Sequence, residues 1–235
     1  MLNTAKQETS RVQQAPLSLP PLDQYRSEQK PTSPLVPGFD EVRSNIQKFS
    51  RGVFKVPPQH RAHVQGPRIS STEPNVPPTA MVEDLLKTFH DQIHRQAPMI
   101  HWPTFIQQWE MVRDAGNFLG MEQTWVALFH IVLACGTLQA SSATNADTEG
   151  MRFYIIAARL INTWTDMLNV DHARTALLVS IFLYEQNVRS ASWVWLGTAI
   201  RMSQEVGLEC EDGPWSALEL AGRTRTYWAI VSWDR

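Results

Sequence analysis

The chain has 235 residues, 43% of them hydrophobic and 19% charged, and a formal net charge of −2. Twelve of its fifteen prolines lie between Pro16 and Pro78, whereas all nine tryptophans fall from Trp102 onward, which excludes one evenly built globule. Residues 1–78 sum to +4 and residues 79–235 to −6. Cations of the first part such as Lys6, Arg11, Arg26, Lys30, Arg43 and Lys48 are scattered singly, so neither part offers the positive stripe that tight duplex binding requires.

Residues 1–38 are rich in Pro, Ser and Gln without a sustained period, a composition that predicts a disordered tail. Phe39, Val42, Ile46 and Phe49 then fall at helical spacing after Pro37-Gly38, predicting a short amphipathic helix over 39–50. Residues 56–78 revert to linker, placing the boundary between tail (1–78) and body (79–235). A body of roughly 155 residues buries roughly 70% of its unfolded surface, sufficient to fold alone.

The body reads as successive helices. The first is expected from Ala80 with Thr79 as its N-cap, an apolar face of Val82, Leu85, Leu86, Phe89 and Ile93, and a stop at Pro98. The next begins at Pro103 and carries Phe105, Trp109 and Val112. Residues 121–139 are apolar nearly all round and predict the central buried helix. After a polar stretch at 141–147, helices are expected over 149–168, 172–187 and 190–206, the last stopped by Gly207. The final helix follows Gly213-Pro214, with Ser216 and Glu219 at capping-box spacing. No alternating strand pattern of useful length occurs. The fold class is all-α, an irregular multi-helix bundle behind a Pro-rich N-terminal tail.

Chemistry-bearing constellations are sparse. His90 and His94 are four apart on one helix and His101 follows, so a metal-dependent enzyme built on these three is one alternative. A hydrolytic H-E-x-x-H motif, however, needs Glu at position 91, where this chain has Asp. There is no G-x-S-x-G and no glycine-rich phosphate loop, so the chain is expected not to be an enzyme. Cys135 sits in the most apolar helix, where a thiol is packing material, and Cys210 lies in a polar loop. Two unpaired cysteines point to a reducing compartment. The first residues, MLNTAKQETSR, lack the apolar run expected of a signal peptide, and the longest apolar stretch, 125–138, is short for a membrane span. Arg201 lies in an otherwise apolar helix, either pairing Glu205 at the surface or forming a buried ion pair with another helix, Asp234 being the leading partner. Gly197, inside the same helix, fits close helix packing better than ligand contact. A helical interaction scaffold of tandem hairpins is the other alternative, but it needs a repeat of about 34–40 residues and no such self-similarity is present.

Three segments carry a family resemblance. Pro98, His101, Pro103 and Phe105 make a P-x-x-H-x-P-x-F pattern. Trp193, Gly197, Ala199, Ile200, Arg201, Met202, Gly207 and Leu208 make a second, W-x-x-x-G-x-A-I-R-M followed by G-L. Arg223, Arg225, Trp228, Asp234 and Arg235 make a third. Together they resemble the regulatory, middle homology region of fungal binuclear zinc-cluster transcription factors of the xylanolytic-activator type, over about residues 81–235. The resemblance implies a nuclear regulator of RNA polymerase II transcription, working through co-regulators or a small effector and with a homodimer among its assembly states. It also implies zinc and DNA binding in the full-length protein. The six-cysteine module for that purpose is missing from this chain, which also stops at Arg235, short of the family's domain, and reads as truncated there. No cofactor, catalytic residue or metal ligand is expected in the chain itself.

Overall fold

A computed structural model describes residues 66–139, 146–163, 167–211 and 213–235. The expected tail and its 39–50 helix lie outside these residues. Among the described residues there is no strand, only an isolated antiparallel bridge between Arg68 and Glu122. Seven helices follow: α1 (Thr79–Phe89), α2 (Trp102–Ala115), α3 (Gln123–Thr137), α4 (Ala146–Leu160), α5 (Val170–Glu185), α6 (Arg189–Val206) and α7 (Ala217–Asp234). The all-α expectation holds.

The core is organised around α3, buried at every position from Thr124 to Thr137 because its sequence is apolar on all sides. It is flanked by α1, α4 and α5. Helix α5 in turn pairs with α6, and α7 packs across α5 and α6. Phe129 is the hub of an aromatic cluster, with ring centroids 5.2 Å from Trp109, 5.3 Å from Trp125 and 5.7 Å from Phe118. Each such side chain contributes roughly 1.5–3 kcal/mol by leaving water.

Local sequence sets the helix ends, in two cases not as the periodicity predicts. Pro78 holds an extended conformation (φ −54°, ψ 131°) and α1 starts at Thr79 without a side-chain cap, so Thr79 is the first helical residue and not the N-cap. Beyond Phe89 the helix widens into a π-turn, His90–His94, before ending ahead of Pro98. Helix α4 stops at Leu160, well short of 168, where Gln123 Nε2 donates to the Leu160 carbonyl at 2.7 Å and satisfies the helix end. Asn169 caps α5 by accepting from the His172 N–H (3.2 Å), while His172 Nδ1 accepts from the Asn169 N–H (3.2 Å). Gly207 closes α6 in the left-handed conformation (φ 70°), as expected. Ser216 caps α7 by accepting from the Glu219 N–H at 3.2 Å.

Residues 66–78, read from sequence as linker, form a strap over the helices. Ile69 is buried, its N–H donates to Met121 O (2.9 Å) and its carbonyl accepts from Gly120 (3.0 Å).

Candidate functional site

The three signature segments come together at the α6–α7 end of the fold. Arg223 is buried, 6% exposed, because α7 delivers it to the C-terminal end of α6. Its guanidinium donates to Val206 O (2.8 Å) and Gly207 O (3.0 Å), two carbonyls near the negative end of that helix. The same guanidinium lies 3.9 Å from the Trp215 ring centroid. Three residues on, the Thr226 hydroxyl accepts from Arg174 Nε (3.1 Å) and lies 3.5 Å from Met99 O, within the first signature. Among the first-signature residues, Phe105 is buried, Pro98 and Pro103 are exposed, and His101 starts α2 with Nδ1 2.7 Å from Thr104 Oγ1. Gly207 and Leu208 are buried behind Arg223. Arg225, Trp228, Asp234 and Arg235 are exposed.

The second signature is different, because three of its eight residues, Trp193, Gly197 and Arg201, face solvent. Trp193 is 75% exposed, and Val194, Gly197 and Arg201 share that outer face of α6. A Cβ placed on Gly197 would meet nothing within 4 Å, so this glycine does not serve close packing inside the fold. It opens instead on a concavity of about 770 Å³ whose walls include Leu168, Thr198, Arg201 and Met202. The expected buried pair of Arg201 with Asp234 does not form among the described residues. Both side chains are exposed, Asp234 at the far end of α7, and Arg201 donates to Gln204 Oε1 at 3.0 Å. The buried arginine of this region is Arg223.

The three histidines do not converge. His94 Nε2 is 2.8 Å from the Ile100 carbonyl, the rings of His90 and His94 stack at 5.3 Å, and His101 is held by Thr104. Among the described residues no three His, Cys, Asp or Glu side chains are grouped to hold a metal ion. A zinc cluster of the kind the resemblance implies has no donor set here either. The chain has only two cysteines, and Cys135 is buried at the heart of α3 with its thiol 3.6 Å from Leu178 O, burial raising its pKa. Between α1 and α2 lies a second cleft, about 380 Å³, walled by His90, Trp102, Ile106, Trp109 and the charged Lys87 and Glu110. The Trp109 indole nitrogen is buried without a hydrogen-bond partner.

Residues 86–235 match the family model described as the fungal specific transcription factor domain. The chain belongs to this family. Among curated relatives of the fungal transcription factor domain, similarity extends to the negative regulator of pleiotropic drug resistance STB5 of Candida glabrata, 24% identical over 173 residues. That alignment covers 66% of this chain and 17% of the relative. Activator of stress genes 1 of Saccharomyces cerevisiae is 23% identical over 172 residues, 68% of this chain and 18% of the relative. Protein STB5 of the same yeast is 23% identical over 171 residues, 66% and 23% respectively. The chain thus spans less than a quarter of the length of these relatives. No solved structure matches. The chain is a fungal transcription factor regulatory domain, and among its described residues no helix is long and apolar enough to cross a membrane.

Several contacts that build the domain had no sequence signature. Trp215 stacks under Arg223, and Ser180, Ser192 and Trp233 join α5, α6 and α7. The only prior signal for the first was a tryptophan placed just ahead of the Ser216 cap. The serine–tryptophan junction depends on residues 53 positions apart and leaves no local trace.

Proposed function

We propose that this domain controls RNA polymerase II transcription in the nucleus by contact with co-regulators and not by catalysis. The outer face of α6 carries this reading. A side chain as large as Trp193 is usually placed inside, and its exposure beside an open glycine is what a contact surface presents. DNA recognition, and the zinc expected of the family, belong in this reading to a module other than these helices. The dispersed cations of residues 1–78 and the acidic body support that division. A small effector is a second reading, favoured by the cleft of about 380 Å³ between α1 and α2, with Trp102, Ile106 and Trp109 among its walls.

Tethering the full chain to a heterologous DNA-binding domain upstream of a reporter in yeast tests the proposal. The expected result is a shift of reporter output that Trp193→Ala reverses at equal protein level. A reporter indifferent to the tethered chain, or to Trp193→Ala, would overturn it.

A further inference from the structure

We propose that Ser71, on the strap ahead of α1, is a phosphorylation site for an arginine-directed serine/threonine kinase, and that its phosphate loosens the strap from the approach to α3. The site uses none of the residues of the α6 contact surface and stands without that reading.

An arginine three residues before a hydroxyl side chain is what such kinases read, because acidic groups lining their peptide groove pair with the guanidinium. Recognition also needs an extended stretch of chain whose backbone and side chains can be gripped, which the interior of a packed helix does not offer. The spacing Arg-x-x-Ser/Thr occurs three times in the chain, at Arg68/Ser71, Arg189/Ser192 and Arg223/Thr226. The structure removes two of them. Ser192 is 3% exposed inside α6, and its Oγ donates to the Ser180 carbonyl at 2.8 Å. Thr226 is fully buried in α7 with its hydroxyl donating to Gly222 O at 2.7 Å, and its Arg223 is enclosed against the end of α6.

Ser71 meets both conditions. Ser70, Ser71, Thr72 and Glu73 make an exposed, non-helical loop between two residues that anchor the strap, buried Ile69 and partly buried Val76. Arg68 is exposed too, and its Nη1 donates to the Gly120 carbonyl at 2.8 Å. The Ser71 Oγ donates to the Glu73 carbonyl at 3.1 Å, a surface bond that water replaces when the hydroxyl turns to a phosphoryl donor. That oxygen attacks the γ-phosphorus of ATP held by the kinase. The new Oγ–P bond replaces the bond from this phosphorus to the β–γ bridging oxygen, ADP leaves with the electron pair, and the hydroxyl proton passes to the kinase's catalytic carboxylate.

The phosphate brings a charge of about −2 to a position three residues from Arg68. A charge-assisted bond is roughly twice as strong as one to a neutral carbonyl, so Arg68 exchanges Gly120 for the phosphate. The neighbouring backbone bonds, Ile69 N–H to Met121 O at 2.9 Å and Gly120 N–H to Ile69 O at 3.0 Å, then lose the tie that flanks them.

Incubating the full chain with ATP and the catalytic subunit of an arginine-directed kinase tests the proposal, with peptide mass mapping to place the phosphate and circular dichroism as the folding control. Ser71 is expected to take up phosphate while Ser192 and Thr226 do not. Arg68→Gln is expected to slow labelling of Ser71 at least about tenfold, and Ser71→Ala to remove it, with the helical signal unchanged. In the phosphorylated chain the Ile69 and Gly120 amides are expected to exchange with deuterium at least about fivefold faster, an effect that Ser71→Ala abolishes. Phosphate on Ser70, Ser192 or Thr226 in place of Ser71, or labelling indifferent to Arg68→Gln, overturns the site. A chain phosphorylated at Ser71 whose strap amides exchange no faster than before overturns the loosening.

Discussion

Arg223 shows how much of the signature junction depends on one side chain. Its guanidinium is enclosed between the Trp215 ring and two carbonyls of the α6 terminus. Removing it strips both carbonyls of a charged donor and leaves Trp215 facing a void. Arg223→Met is therefore expected to destabilise the domain by about 2–3 kcal/mol, and Arg223→Lys by less, since an ammonium retains the charge but not the planar face against Trp215. Arg201→Met, at an exposed position, should change stability by no more than about 0.5 kcal/mol under dilute conditions. Urea midpoints at constant slope measure both, and equal effects at the two arginines would contradict the assignment. Sequence alone left Arg201 open between a surface pair and a buried one, because Ile200 and Met202 flank it, whereas Arg223, between Gly222 and Thr224, carried no local sign of burial. Trp215 and the end of α6 decide between them, and those partners are eight and about sixteen residues from Arg223.

Helix packing separates two glycines in the same way. A Cβ at Gly136 of α3 would lie 2.5 Å from the Leu85 carbonyl oxygen, so the close approach of α1 to α3 requires that glycine. Gly136→Ala is expected to cost about 1–3 kcal/mol as α1 is pushed aside. Gly197→Ala should instead stabilise the monomer, by up to about 1 kcal/mol, through better helix propensity in open space. Thermal melting at low protein concentration gives the two signs, and a destabilising Gly197→Ala would show that α6 is packed more tightly than described. Helix identity was legible from apolar periodicity, the burial of α3 from its all-round apolar sequence, and the ends of α6 and α7 from Gly207 and Ser216. What periodicity could not show is which neighbour covers which face. Hence Gly197 read as a packing glycine, α4 read too long without its Gln123 stop, and the strap read as linker because a single buried Ile69 makes no pattern. The signature residues were recognisable as a set, but their division into a buried junction and an exposed face was not.

Across the whole molecule, buried histidines make stability depend on pH. His130 is 0% exposed among Phe118, Phe129 and Phe153, and burial lowers its pKa to about 4, against the Val126 carbonyl bond that favours the charged form. Burial lowers His94 and His172 in the same direction. Between pH 6.5 and 4 the unfolded chain takes up a proton that folded His130 refuses. Stability from this group is therefore complete above about pH 6.5 and falls as pH drops toward 4, by roughly 3 kcal/mol. The urea midpoint should decline steadily from pH 7 to 5, and His130→Leu should flatten part of that slope; a midpoint indifferent to pH would refute the account. The strap has a mechanical consequence at this same scale. Its backbone bonds, Gln123 N–H to Pro67 O at 2.8 Å and the pair around Ile69, sit at the threshold of α3. A pull on the chain at Gly66 would meet these few bonds first, so tension could peel the strap from the entrance of the central helix while the aromatic cluster behind it stayed whole.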